Sequence, residues 1–490
     1  MSEAARKIAK NTGFLTGALI IQKAIAFLFF LLIARYLGDA GTGEYVGAFA
    51  FSSLFSIGVD VGLSQVLIRE IARHPEETEE YYRNTLGAKI FLGTIVYSLL
   101  LLTVFLLGYF GIPHPSIHLV AIAGIIMLAD SFVLTGISIF RGWQNLWFES
   151  VVIVVQKVGV FALGALVLLV DPSPQNVAYA ILGGGVVSYV LLARYLGARI
   201  RQPWRPAWNV TTIKKLMTMA LPFAVAGFFS TAYAQLDSVL LSTMQGNTAV
   251  GLYSVAAKTM NAFAFIPAAF MAALYPAMSN YFVTAPDILE KTLERSLRYL
   301  LVIGAPIAVG LFILADSFVV RLGAAYAPSA ASVRILLPSL IFVFLSYPLG
   351  ALMNATNHQH WQTMAIGVSL IVDVICNIFW IPRYSYLGAS AAWFLANACY
   401  FFIDAVMASH IVKIAWSRIV LSIIRVGFSV IVMAAVVKVS VVTLPLILLV
   451  LAAAIIYIIM LFVVREVSQA DIQFVVGLLR RGNVAPVENN

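Results

Sequence analysis

Charged side chains are scarce in this chain. Asp, Glu, Lys and Arg make up 11 % of its 490 residues, whereas apolar residues make up 61 %. Soluble domains typically carry about 25 % charged residues. A chain this poor in charge cannot cover a surface that faces water, so we expect lipid to surround most of it. The same composition excludes a disordered chain and a collagen-like fibre.

The sequence also lacks the usual signatures of an enzyme or a metalloprotein. Its two cysteines, Cys376 and Cys399, fall inside apolar runs and exclude a disulfide scaffold. It contains no G-x4-G-K-[ST] phosphate loop, and its close histidine pair, His358 and His360, has no cysteine or carboxylate nearby. We therefore expect a transporter rather than an enzyme, with no metal site and no cofactor beyond a coupling H⁺ or Na⁺.

Long apolar runs dominate what is present. A membrane-spanning helix needs about 20 mostly apolar residues. Fourteen such runs lie at 12–34, 45–68, 86–110, 117–140, 149–170, 177–196, 217–241, 250–282, 299–320, 332–355, 362–381, 387–411, 419–440 and 443–464. The fold class predicted is an all-α polytopic membrane protein. The run at 250–282 contains Pro267 and Pro276, which predict a kink or a partly interfacial segment.

The net charge of +9 is concentrated in the breaks between these runs. If the N-terminus is cytoplasmic, 23 of the 31 Lys and Arg residues face the cytoplasm, including Lys89 at the flank of the third run. Five face outside, and three lie within runs. This asymmetry predicts that both termini are cytoplasmic. It also favours membrane lipids over nucleic acid as the partner of the basic residues.

An internal repeat divides the runs into two sets. The spacing Gly-x4-Gly-x-Tyr occurs at Gly38, Gly43 and Tyr45 and recurs 208 residues later at Gly246, Gly251 and Tyr253. Each copy follows the first run of a half, so we predict two six-helix lobes in a parallel repeat. The predicted domains are an N-lobe at 1–200, a cytoplasmic linker at 201–216, a C-lobe at 217–412, two additional spans at 413–466 and a cytoplasmic tail at 467–490.

Several short motifs resemble one family. They are Ala34-Arg35-Tyr36-Leu37-Gly38, Arg141-Gly142-x-Gln144, Gln156-Lys157, Leu221-Pro222-Phe223, Asp237 with Gly251-Leu252-Tyr253-Ser254 and Lys258, and Asn377-x3-Ile381-Pro382-x-Tyr384 with Gly388-Ala389-Ser390-Ala391. In this order and spacing the sequence resembles the polysaccharide-type flippases of the multidrug/oligosaccharidyl-lipid/polysaccharide exporter superfamily. The resemblance covers about the first 410 residues.

The resemblance implies a function in the cell membrane. Such a protein moves a lipid-linked oligosaccharide across the bilayer for surface polysaccharide or glycan assembly, with the sugar pyrophosphate passing through a cavity between two lobes. It implies glycan polymerases or glycosyltransferases as partners, and we expect a monomer because two lobes complete one site. A cation-coupled multidrug exporter and a lipid II flippase are the alternatives within the superfamily.

Charged residues inside the runs are the candidate site. A charge at the bilayer centre costs about 2.5–3.5 kcal/mol, so such residues are functional candidates. We predict that Lys23, Lys157 and Lys258 bind the pyrophosphate, because lysine is a common point charge for phosphate. The carboxylates of Asp60, Asp130 and Asp237 would balance this charge or carry a coupling ion.

Helical spacing adds two polar residues to this site. Tyr233 lies on the face of the seventh run that carries Asp237, and Asn261 shares a face of the eighth run with Lys258. Both are predicted to contact substrate. A structural alternative remains open: buried ion pairs of Asp130 with Lys157, Lys23 with Asp60, and Asp237 with Lys258 that only join helices.

Overall fold

The structure is a computed structural model that describes residues 3–200, 205–440 and 445–467, with side chains from residue 13 onward except at 446 and 447. The predicted tail beyond 467, residues 201–204 of the predicted linker and residues 443–444 of the last run lie outside the described residues. Helices α1 to α16, in chain order, are Glu3–Asp60, Leu63–Arg73, Thr78–Tyr109, Ile117–Gly142, Leu146–Val170, Pro174–Gly197, Val210–Gln245, Asn247–Phe263, Phe265–Thr284, Pro286–Ile313, Ala315–Val320, Ser329–Leu336, Leu340–Ala355, Gln359–Ile411, Trp416–Ser440 and Leu446–Val463.

Most of these helices are long enough to cross a membrane. The described part of the chain has eleven helices of sufficient length and apolar content, together with a shorter apolar helix at the end of α16. Two of the eleven, α1 and α14, are 58 and 53 residues long, and a non-helical residue interrupts each of them. Each is therefore long enough for two crossings, and the predicted all-α polytopic membrane fold is confirmed.

The two interruptions lie where the sequence predicts loops outside the membrane. Gly38 breaks α1 with φ 67° and ψ −175°, and Ser385 breaks α14 with φ 51°. The proline-containing run at 250–282 is also divided, because α8 ends at Phe263 and α9 begins at Phe265. At Gly38 and Ser385 a single non-helical residue thus stands where an extended loop would otherwise separate two helices.

The two copies of the glycine repeat have the same backbone geometry. Gly246 has φ 82° and ψ −176°, which matches Gly38 in the first copy. This combination of positive φ with extended ψ is essentially restricted to glycine. The shared conformation at equivalent positions supports duplication of this segment, whereas the lobe boundaries themselves stay a prediction.

By compactness the chain divides into two units. Among the described residues, unit 1 consists of 3–200, 205–262, 319–332 and 369–393, and unit 2 of 263–318, 333–368, 394–440 and 445–467. In unit 1 a buried cluster joins α4, α5 and α6 through the stacked rings of Phe140, Phe148 and Tyr195. Arg141 and Glu149 lie beside it and form an ion pair with Nη2 and Oε1 2.6 Å apart.

Unit 2 holds the two additional helices, α15 and α16, against α10. Glu466 is buried just after α16 and accepts from Nε of Arg298 at 3.1 Å, and Nη1 of Arg425 lies 3.6 Å from its other oxygen. Tyr457 also donates to the backbone oxygen of Val302 at 2.8 Å. These contacts tie α16 and the residue that follows it to the middle of α10 and to α15.

Candidate functional site

A cavity of about 610 Å³ lies within unit 1. Its walls are α1, α4, α5, α6 and α8, and every lining residue except Lys258 belongs to the predicted N-lobe. One part of the wall is polar and carries Ser52, Ser53, Ser56 and Ser131, and another is aromatic and carries Phe29, Phe30, Tyr45 and Phe49. Serine hydroxyls and aromatic faces next to charge suit a glycan better than a purely apolar solute.

Two of the three predicted lysines line this cavity. Lys157 on α5 and Lys258 on α8 are both part of its wall. Lys23 on α1 is not in the wall, but it is close enough to both of them for their charges to repel. Within the part of the chain that the structure describes, none of the three forms a salt bridge. The region therefore holds positive charge that its own carboxylates do not pair with directly.

Asp130 is the carboxylate that faces the cavity with the fewest partners. It is exposed to the cavity, accepts a long hydrogen bond from Gln156 at 3.4 Å and lies within electrostatic range of Lys157. Asp130 and Lys157 are therefore neighbours, as the structural alternative predicted, although they form no salt bridge. Asp130 offsets the charge of Lys157 while leaving its ammonium group available to a ligand.

Asp60 also lines the cavity, but it is fully engaged with a different lysine. Nζ of Lys89 lies 2.5 Å from Oδ1 of Asp60 and 3.1 Å from each of Ser64 Oγ, Ser131 Oγ and the Ser131 carbonyl oxygen. The Lys89 side chain is completely buried. The predicted pairing of Lys23 with Asp60 is therefore wrong, because α3 rather than the first part of α1 brings the basic partner.

We expect Lys89→Met to destabilise the protein by about 3–5 kcal/mol, because the Asp60 carboxylate would remain partly buried without its partner. The double variant Asp60→Asn with Lys89→Met should recover most of the loss. Melting temperatures in detergent measure both, with Lys214→Met on an exposed part of α7 as the matched control. A folded Lys89→Met protein that melts with the wild type would show that the pair contributes little.

Asp237 lies in a separate buried cluster rather than on the cavity wall. It accepts from the Tyr253 hydroxyl at 2.5 Å and from Nδ2 of Asn377 at 2.7 Å. Asp373 is completely buried and lies close to both Asp237 and Asn377, although neither of its oxygens accepts a hydrogen bond of normal length and angle among the described residues. The predicted pairing of Asp237 with Lys258 is therefore wrong, since α14 and Tyr253 supply its partners instead.

The two predicted polar contacts lie away from the cavity wall. Tyr233 stacks on Trp393 with ring centroids 5.1 Å apart, near the Asp237 cluster. Asn261 is exposed near the end of α8 and is not among the residues that line the described cavity. Their roles as substrate contacts stay predictions. Helical spacing correctly associates Tyr233 with Asp237, but it does not establish which of the two clusters they join.

Sequence reasoning missed Lys89, Asn377 and Tyr253 as members of these clusters. Lys89 sits at the end of an apolar run, where a lysine ordinarily extends its amine toward the membrane surface. Asn377 and Tyr253 stand in the family-like motifs but carry no charge. A signal for Lys89 was available, because it is flanked by Leu86, Gly87, Ala88 and Ile90, without another charge nearby.

Comparison with known sequences places the chain in a family. Residues 8–282, more than half of the chain, match the polysaccharide biosynthesis protein family. The chain belongs to this family. The match confirms the resemblance to the polysaccharide-type flippases, and every residue that lines the cavity falls within it.

This member of the polysaccharide biosynthesis protein family is similar to two curated transporters. The putative O-antigen transporter of Shigella flexneri is 22 % identical over 392 residues, which cover 78 % of this chain and 91 % of that protein. The probable low-salt glycan biosynthesis flippase of Haloferax volcanii is 20 % identical over 411 residues, covering 82 % of this chain and 83 % of that protein. Both are described as transporters rather than catalysts.

The fold of this family member is also similar to that of a solved flippase. The structure of the lipid II flippase MurJ in an inward closed conformation superposes with a TM-score of 0.71 and covers 92 % of this chain and 99 % of its own. The identity is 13 %, so this similarity concerns the fold alone.

Proposed function

We propose that this protein is a secondary transporter that moves polyprenyl-(pyro)phosphate-linked oligosaccharide from the cytoplasmic to the outer leaflet by alternating access. The family and the curated relatives support a lipid-linked glycan as the substrate class. The observation that carries the proposal is the charge of the cavity, where Lys157 and Lys258 form no salt bridge with any described residue and Lys23 lies beside them.

The charge balance of the cavity favours an anion over a cation. The described wall of the cavity contains two carboxylates, Asp60 and Asp130. Lys89 neutralises Asp60, whereas Asp130 forms no salt bridge with a described residue. Against it stand Lys157 and Lys258 in the wall and Lys23 next to them. A lipid pyrophosphate matches this excess of positive charge, whereas a cationic drug would be repelled. A multidrug exporter is therefore the weaker alternative.

Transport in proteoliposomes tests this proposal. Fluorescent glycans linked through pyrophosphate to a polyprenyl chain are incorporated into vesicles with the purified protein, and movement between leaflets is followed under imposed H⁺ and Na⁺ gradients. We expect the glycan lipid to move between the leaflets and a cationic dye to stay on the side of the membrane where it was added. If several glycans fail to move under every gradient while the dye is transported, the protein is a drug exporter instead.

We further propose a coupling cation, H⁺ or Na⁺, at the Asp237 cluster. Two neighbouring buried carboxylates cannot both be ionised without a compensating positive charge. Both oxygens of Asp373 and Oδ1 of Asn377 are buried and accept no hydrogen bond of normal geometry among the described residues, so oxygen ligands that suit Na⁺ are available. This cation would link substrate movement to an ion gradient.

The remaining features of the proposal concern the protein in the cell. The basic residues favour both termini in the cytoplasm of a plasma membrane protein. Glycan polymerases or glycosyltransferases are the proposed partners, because they consume or supply a lipid-linked glycan. A monomer is proposed because one chain contains both the cavity and the cation cluster.

A further inference from the structure

The two copies of the Gly-x4-Gly-x-Tyr repeat contact each other directly in unit 1. A Cβ built on Gly43 would overlap the backbone oxygen of Asn247 and lie 2.8 Å from the amide nitrogen of Gly251. A Cβ on Gly251 would overlap the backbone oxygen of Asp39. Gly43 and Gly251 are therefore required for close approach of two backbones, and no side-chain movement could relieve a substitution at either position.

The contact is reciprocal. Gly43 and Gly251 occupy equivalent positions in the two copies, and so do their contacts, Asp39 and Asn247, each pair 208 residues apart. The second glycine of each copy therefore meets the backbone of the residue that follows the first glycine of the other copy. Equivalent residues that exchange contacts in this way define a two-fold joint. We call residues 38–45 with residues 246–253 the glycine joint.

Tyr326 fastens one half of this joint. Its hydroxyl donates to the backbone oxygen of Gly38 at 2.7 Å and lies 2.8 Å from Oγ1 of Thr42, and its side chain is 1 % exposed. Burial raises the pKa of Tyr326 to about 12, so the phenol keeps its proton and remains a donor throughout the physiological range. The segment that carries it, 319–332, belongs to unit 1 with the joint.

The joint and the cavity are built on the same two helices. Beyond Gly43, α1 continues through Tyr45, Phe49 and Ser53 in the cavity wall, and beyond Gly251, α8 continues to Lys258. At 1.5 Å per residue, Lys258 lies about 10 Å along its helix from Gly251. Separation of the two segments of the glycine joint would therefore move opposite parts of the cavity wall apart.

We propose that the glycine joint is the outer gate of the cavity and that Tyr326 holds it closed. The inference rests on the proposed alternating-access function and adds to it the residues that close one side. Closure depends on two backbones in contact, so a single methyl group at Gly43 or Gly251 is incompatible with it. A glycan can leave the cavity through the gate only after the two segments of the glycine joint separate.

Labelling of a cavity cysteine tests the gate without any glycan. In a protein with Cys376 and Cys399 replaced by Ala, Ser53→Cys places a thiol in the wall, and a membrane-impermeant maleimide is added from outside. We expect Gly43→Ala and Gly251→Ala each to accelerate labelling at least tenfold. Gly185→Ala, at a buried helical glycine with no atom within 4 Å of its added Cβ, is the matched control and should label as slowly as its parent.

Tyr326→Phe keeps the buried ring and removes its hydroxyl. This variant therefore tests the proposed gate even if neither alanine variant folds. We expect about fivefold faster labelling, the effect of one net hydrogen bond on the closed state. A folded variant at Gly43 or Gly251, or Tyr326→Phe, that labels at the parental rate overturns the gate. Because labelling needs no substrate, a faster rate would support the gate even if no glycan lipid were transported, and the proposed flippase function would then fail separately.

Discussion

Lys258→Ala is expected to lower transport of a pyrophosphate-linked glycan at least tenfold without lowering the melting temperature of the protein. A charge-assisted hydrogen bond to phosphate contributes about 1.5–3 kcal/mol, which corresponds to roughly ten- to a hundredfold in affinity or rate. The unliganded protein should not be destabilised, because Lys258 has Lys23 as a like-charged neighbour and no salt bridge among the described residues. Removing it relieves repulsion.

The combination of lost transport and retained stability separates the two interpretations of the lysines. A lysine that only joins helices would lower the melting temperature when it is replaced, as expected for Lys89. A lysine that binds substrate has its favourable partner only when the substrate is present. Lys23→Ala and Lys157→Ala are measured beside Lys258→Ala, with the exposed Lys214→Ala as control, in the same proteoliposome and melting assays.

Arginine distinguishes a required charge from a required shape. Lys258→Arg keeps the positive charge and should retain most of the transport, whereas Lys258→Gln should resemble the alanine variant. Lys23 lies beside the wall rather than in it, so its replacement should have the smallest effect of the three. Unchanged transport in a folded Lys258→Ala protein would exclude this lysine from the substrate path.

The sequence defined depth in the membrane better than direction around a helix axis. Apolar runs must match the bilayer thickness, so their lengths predicted the membrane-spanning segments. The glycine spacing predicted the turns at Gly38 and Gly246. Ion-pair partners depend instead on which helices pack together and on how each is rotated. Lys23 and Lys89 were both plausible partners for Asp60 by depth, and only the packing of α3 against the break after α1 selects Lys89.

The same limit explains the mixture of outcomes at the acidic residues. The proximity of Asp130 to Lys157 could be predicted because Gln156 and Lys157 lie in one motif, opposite a lone carboxylate on the preceding helix. The partners of Asp237 come from Tyr253 and from Asn377, which is 140 residues away along the chain. No local pattern connects residues across that separation, so the cluster could not be identified from a single sequence.

Asp373→Asn is expected to abolish the dependence of transport on the driving cation and to abolish the stabilisation that this cation gives in detergent. The amide has nearly the shape of the carboxylate but removes one of the two adjacent negative charges. Asp237 would keep its hydrogen bonds from Tyr253 and Asn377, so we expect the variant to fold. Without the second charge, the cluster no longer needs a cation, and transport should follow only the substrate gradient.

Melting curves identify which cation the cluster takes, independently of transport. If Na⁺ binds there, the melting temperature of the wild type should rise with NaCl more than with an equal concentration of KCl, since a ligand that binds only the folded state stabilises it. Asp373→Asn should lose this difference, whereas Asp404→Asn, which changes a buried carboxyl in unit 2, should retain it.

A wild type whose melting temperature does not respond to Na⁺ but which transports under a pH gradient would identify the proton as the coupling ion, because one proton shared by Asp237 and Asp373 also removes their repulsion. Coupling that survives in Asp373→Asn would place the driving ion elsewhere, with Asp130 in the cavity wall as the next carboxylate to replace.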